Sequence, residues 1–250
     1  MIKVLAFYAH PDDETMFCGG TLAYLARRGA QVHYLSATRG EGGELGEPPV
    51  GPREELGRVR EAELRCAVRA LGGAGVDFLA YQDPEVGPDN VLYPFTKDLE
   101  TLTAELLESL LDLQPEIVFT HGRLGEYGHP AHVLAHRGMM NAVGLLDENQ
   151  PVVYAVYRER DRDRHPEEEL VEEPDLRLDV SPTREEKIAA ARCHRSQHAL
   201  FLRNAALRAG RPVTLPELLS SREDLVRVRY SGEPADHPGI EPLVQPLLLD

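Results

Sequence analysis

Apolar positions along the chain follow two alternating patterns. Short runs rich in apolar residues at 2–8, 31–38, 76–81, 116–120 and 152–157 have the length and β-branched or aromatic content of strands. Between them apolar residues recur at three and four, the spacing of one helix face. This predicts helices over 15–28, burying Phe17, Leu22 and Leu25; over 53–71, through Leu56, Val59, Leu64, Val68 and Leu71; over 96–113, through Leu99, Leu102, Leu106, Leu110 and Leu113; and over 130–146. Gly29, Gly72 and Pro115 stop the first three, and Pro130 suits the first turn of the fourth. Gly19 and Gly20 would let the first helix approach the sheet closely.

Strands that alternate with helices pair in parallel through crossover connections. The expected fold class is therefore α/β: a Rossmann-like, mostly parallel open sheet with helices on both faces. Strands one and four should lie side by side, which brings residue 10 and the region of residue 130 to one topological switch point at the strands' carboxyl ends. Beyond 157 the pattern weakens. Residues 158–175 carry dense charge of both signs and read as a solvated excursion, and 176–180 as a short strand. One long helix is expected over 181–209, ended by Gly210, and 211–250 as an appendage against the domain edge or a neighbouring subunit. The whole, 1–250, is taken as a single domain.

Composition narrows the class of function. A formal charge of −15, from 42 acidic residues against 27 Lys plus Arg, excludes a nucleic-acid surface and disfavours anionic membranes. The first apolar run is too short to span a bilayer and lacks the flanks of a signal peptide, so cytoplasmic residence is expected. Cys18, Cys66 and Cys193 are odd in number and far apart in sequence, which reads as three reduced thiols.

The chemistry concentrates at two strand ends. Tyr8-Ala-His-Pro-Asp-Asp-Glu14 follows the first strand, and Pro11 holds His10 extended off its tip. Asp12 and Asp13 are adjacent and diverge, so one can bind a cation with His10 while the other faces the cation's open position. Capping of the next helix is the plainer use of three acids, but a second cluster, His121 to His132, follows strand four. With His10 and Asp13, His132 completes two histidines and one carboxylate, leaving a position open as in catalytic zinc sites. His136, a turn further along, would run away from the strand tips, and His121 would back the site. The glycine-rich loop 39–52 could line the same site or simply connect across the surface.

The pairing of Ala-His-Pro-Asp-Asp-Glu with Tyr-Gly-His-Pro-x-His resembles the zinc-dependent GlcNAc deacetylases of the LmbE-like or PIG-L family. Thr38-Arg-Gly-Glu-Gly-Gly43, Arg60 with Glu61 and Glu63, and Lys187 followed by Ser196-Gln197 match its pattern too. The resemblance implies His10, Asp13 and His132 as ligands of Zn2+, with Fe2+ the alternative ion. It implies Asp12 as general base, His129 as general acid or charge stabiliser, and Tyr127 as the group that polarises the carbonyl. Arg60, Arg39 and Glu85 would contact a small amino sugar conjugate, whose N-acetyl group is hydrolysed. Similar proteins often form homo-oligomers. One departure stands out: Ala131 occupies a place where the family commonly has Asp, which leaves His129 in need of another partner. Two other readings use the same residues. A two-His, one-carboxylate set also serves non-haem iron oxygenases, usually on all-β barrels, and a metal-stabilised sugar-binding module would do no chemistry.

Overall fold

The computed structural model describes residues 1–158, 173–231, 233 and 237–249. Five strands, β1 (Lys3–Tyr8), β2 (Gln31–Thr38), β3 (Gly75–Tyr81), β4 (Ile117–Thr120) and β5 (Val152–Tyr157), pair in parallel. Between them run α1 (Asp13–Arg27), α2 (Leu56–Ala70), α3 (Leu99–Leu113) and α4 (Pro130–Gly144). Two further strands, β6 (Leu176–Asp179) and β7 (Arg222–Val228), are antiparallel to their neighbours, giving the order β3-β2-β1-β4-β5-β7-β6. The expected α/β class and the adjacency of strands one and four both hold.

The apolar run of β1 from Val4 to Tyr8 has a direct cause: the strand is buried on both faces. Val4, Ala6 and Tyr8 join Leu22 and Leu25 of α1 and Leu64 and Val68 of α2 in one core. Leu5, Phe7 and Ala9 join Leu102, Leu106 and Leu110 of α3 and Ala135 and Met139 of α4 in the other. Two layers thus clamp β1, and truncating Phe7 to Ala would cost about 3–5 kcal/mol. That rigidity is transmitted to whatever leaves its carboxyl end.

Three expectations require correction. Residues 181–209 are not one helix but α5 (Arg184–Cys193) and α6 (His198–Ala209), with 3₁₀ turns at Ser181–Thr183 and Arg195–Gln197. The break is enforced from outside: Ser196 donates its amide and hydroxyl to Glu63 (2.8 and 2.7 Å), and Gln197 donates to the Glu44 carbonyl (2.9 Å). The segment after 211, expected as an appendage, places β7 inside the sheet between β5 and β6, where the charges of Arg222, Glu223, Asp224 and Arg227 had masked its apolar run. Cys66 and Cys193 form a disulfide with Cα atoms 5.7 Å apart, because α2 and α5 pack side by side; only Cys18 is free. Gly20 does let α1 approach the sheet closely, on its β6–β7 side: a Cβ would stand 2.5 Å from Val180 after β6, and the Gly20 amide donates to Glu223 of β7 (2.9 Å), while Gly19 faces Lys187 and Leu71. The charged excursion, apart from 158 and 173–175, lies outside the described residues.

Candidate metal centre

The two clusters meet because β1 and β4 are parallel neighbours, with Ala6 opposite Phe119, so the chain leaves both strands at one edge. His10, Asp12 and Asp13 enter from β1, and α1 begins at Asp13. His121 follows β4, and α4 begins at Pro130 with His129 as its N-cap. Asp13 lies at the centre. Its Oδ2 is 3.2 Å from His10 Nδ1 and its Oδ1 is 3.5 Å from His132 Nε2; the His10 and His132 rings are 5.3 Å apart. Among the described residues, two sets could offer ligand atoms to one ion, His10 with His129 and His132, and Asp13 with His121 and His132.

Hydrogen-bond accounting separates these histidines. Ala9 N–H donates to His121 Nε2 (2.9 Å), and His121 Nδ1 donates to Glu126 (3.0 Å), so that ring has no lone pair left. Glu126 and Asp13 press His121 towards the charged form, but the Ala9 amide requires a neutral acceptor. His129 Nδ1 accepts the Ala131 amide (3.1 Å), which leaves the proton on Nε2. This backbone bond is the partner that the absence of Asp at 131 had put in question, and Ala131 itself is buried in the apolar core. His132 differs from both. Its Nδ1 donates to Glu126 at 2.6 Å, while its Nε2 is buried without any hydrogen-bond partner. A buried bare lone pair costs about 1–3 kcal/mol unless something fills it, and a carboxylate behind a histidine is how metal-binding imidazoles are oriented.

The charge balance also suits a cation. Asp12, Asp13 and Asp83 are all buried here. His10 lies between Asp13 and Asp83, its Nε2 3.2 Å from the latter. Burial opposes its charged form, but the two carboxylates outweigh burial and push its pKa up to about 10. The donor set of imidazole and carboxylate fits a divalent ion such as zinc.

Asp12 stands beside this set in a conformation that non-glycine residues avoid, with φ 115° and ψ −28°. Such a backbone costs about 1–3 kcal/mol and persists only where neighbours impose it. Arg60 is one: buried, it donates to the Pro11 carbonyl (2.6 Å), Asp12 Oδ2 (2.8 Å) and the Gly40 carbonyl (2.8 Å). Burial lifts Asp12 to about 7 against the pull of Arg60. The glycines of loop 39–52 now have a reason. Gly40, at φ +70°, and Gly43 lie against the Arg60 guanidinium where a Cβ would collide with it, and Gly42 lies against the Pro84 backbone. That stretch is a fitted wall.

The remaining candidates divide. Tyr127, 46% exposed, sets its ring edge-on to His129 and His132 (centroids 5.6 and 5.4 Å). Arg39 bonds Glu61 (2.8 Å) and lies over Phe78. Glu85 is 70% exposed along its side chain and pairs at 3.9 Å with Arg53, whereas Asp83, two residues earlier, touches His10. His136 Nδ1 donates to the His121 carbonyl (2.8 Å). Sequence reasoning missed Asp83 and Glu126. Glu126 sits in plain view between two histidine motifs, but its φ of 59° and its bonds to both His121 and His132 arise only in the folded loop.

A family model described as GlcNAc-PI de-N-acetylase (PIG-L) matches residues 5–143, more than half of the chain. A protein of Mycobacterium sp. (strain KMS) named 1D-myo-inositol 2-acetamido-2-deoxy-alpha-D-glucopyranoside deacetylase is 32% identical over 272 aligned residues, covering 96% of this chain and 87% of that one. Against other relatives of that name the match spans 56% and 53% of their length, so the chain spans about half of them. Among solved structures, N,N'-diacetylchitobiose deacetylase from Pyrococcus horikoshii superposes with TM-score 0.63 at 22% identity, over 94% of this chain and 88% of that one. GalB, the 4-carboxy-2-hydroxymuconate hydratase from Pseudomonas putida KT2440, superposes with TM-score 0.61 at 23% identity, over 94% and 100%. At such identities the likeness is one of fold, and function has to be argued from the site.

Proposed function

The chain belongs to the GlcNAc-PI de-N-acetylase (PIG-L) family, and from that premise we propose that it is a zinc-dependent hydrolase that removes the acetyl group from an N-acetylglucosamine-type amino sugar conjugate. One observation carries the reading: His132 presents a bare, buried Nε2 to Asp13 while Asp12, braced in a strained turn next to it, is left over. His10, Asp13 and His132 would hold the ion, which when bound supplies Lewis-acid charge to the amide oxygen and acidifies water at the site.

The chain's own groups do the rest. Asp12 takes a proton from the attacking water, and a carboxyl lifted towards neutrality is matched to that exchange. His129 is kept neutral, its pKa pushed down to about 3 chiefly by burial. With Nδ1 occupied by the Ala131 amide, it offers Nε2–H to charge building on the amide oxygen or to the departing amine. Tyr127 stands within the same histidine group as a further donor. Asp83 replaces Glu85 as the acidic residue at the sugar's side, and Arg60 serves Asp12 in preference to the sugar.

The oxygenase alternative loses its setting, since the ligands project from a parallel α/β sheet and not from a barrel. A non-catalytic module gives no reason to strain Asp12. The test is acetate release from a panel of N-acetylated amino sugar glycosides with and without chelator. Hydrolysis should vanish with chelator, and Asp12→Asn should lower kcat by about 10²–10⁴ while the zinc content is unchanged. A fully active Asp12→Asn enzyme would refute the mechanism.

A further inference from the structure

Arg60 alone does not explain how Asp12 is held. The strained turn has a second brace on the opposite side. Asp12 N–H donates to Glu14 Oε2 (3.0 Å), and the other oxygen of Glu14 receives Thr15 Oγ1 (2.5 Å) and His194 Nε2 (2.9 Å). All three side chains are buried, with Glu14 2% and His194 1% exposed. His194 comes from the break between α5 and α6, far from either motif in sequence, and follows directly on Cys193, which is bonded to Cys66, further along α2 from Arg60. The two braces of Asp12 are thus tied to each other at their far ends. The ring acts through one nitrogen: Nε2 reaches Glu14 (2.9 Å), with Thr15 Oγ1 3.4 Å away, while Nδ1 is buried without a partner. A histidine retained in a dry position with half its polar capacity idle is placed there for the half in use.

We propose that His194 is a positioning residue for the hydrolysis: through Glu14 it holds the Asp12 amide, and with it the carboxyl, in the strained orientation. The inference rests on the assignment of Asp12 as base but is read out separately from it. A residue that pins the base without touching metal or substrate should act on kcat alone. His194→Gln places an amide N–H where Nε2 stands, and His194→Asn carries the same amide too short to reach Glu14. In crystal structures of the zinc-loaded variants, Asn should release Asp12 from φ near +115° and Gln should keep it. Assayed for acetate release, Asn should lose kcat by tenfold or more with KM and zinc content unchanged, and Gln should stay within threefold of the parent. Should the Asn variant fail to fold, the Gln variant decides alone, by keeping or losing the turn and the turnover. An unmoved Asp12 turn in the Asn variant, or equal loss in both, overturns the proposal. A parent enzyme that releases no acetate from any sugar refutes the deacetylase assignment instead, and the crystallographic comparison still decides the role of His194.

Discussion

Glu126→Gln is the substitution that most directly tests whether the site is built to hold a cation. In the native chain Glu126 Oε2 accepts from His132 Nδ1 at 2.6 Å and His121 Nδ1 at 3.0 Å, and Oε1 accepts from Gly122 N–H at 2.7 Å. The group is buried, and both imidazoles hold its pKa down to about 2 against the effect of burial, so a full negative charge stands behind His132. A glutamine oxygen in the Oε2 place keeps the two imidazole bonds without their charge, and its amide nitrogen then faces the Gly122 N–H. One buried donor left unsatisfied costs about 1–3 kcal/mol, and weakening two charge-assisted bonds adds about 1 kcal/mol. The metal-free protein should therefore lose about 2–4 kcal/mol in urea unfolding. Zinc affinity, measured by competition with a chromophoric chelator, should fall about 10–100-fold, or about 1.4–2.8 kcal/mol, because the carboxylate no longer fixes and enriches the His132 lone pair. Affinity within twofold of the parent, alongside the expected loss of stability, would mean that Glu126 only fills the core and that His132 is not the ligand inferred here.

Three further outcomes follow from the same geometry. Chelation should lower the melting temperature, by about 5–10 °C if zinc had stood at a hundred times its Kd, and the effect should return with added ion in calorimetry. Gly40→Ala should cost about 2–4 kcal/mol and reduce turnover, since the residue combines φ +70° with a Cβ position occupied by the Arg60 guanidinium; wild-type stability by denaturant unfolding would remove the account of loop 39–52. Lys187→Met should cost about 3–5 kcal/mol, because it leaves Glu223 as an uncompensated charge buried against the Gly20 and Thr21 amides of α1. A near-neutral result would show that those amides and Thr21 Oγ1 satisfy Glu223 by themselves.

Much of this was legible along the chain where a local rule sufficed. The apolar runs of β1, β4 and β5 were visible because both of their faces are covered, and β5 lies at 152–157 as expected. Helix α6 ends at Gly210 with φ +66°, as a glycine stop should. The nearness of His10, Asp13 and His132 was expected from the two clusters that follow strands one and four. Illegible were the features that depend on a distant partner. Ser196 breaks a helix because Glu63 is there to receive it, β7 is a sheet strand because β5 has a free edge, and Asp83 rather than Glu85 faces His10 because Glu41 accepts the Asp83 amide at 3.1 Å and Gly42 packs on Pro84.

The residue pattern alone dictated the alternation that makes most of the sheet parallel, the adjacency of the first and fourth strands, and hence the meeting of two short polar motifs at one edge. Periodicity and residue type act over a few positions, and those are the distances that a linear reading resolves. Which histidine keeps a lone pair, which carboxylate is braced as the spare one, and which thiols join were decided in three dimensions. Each depends on where donors and acceptors from remote segments are used up, and in a dry interior an unpaired group is costly enough that this accounting selects the role of every polar side chain.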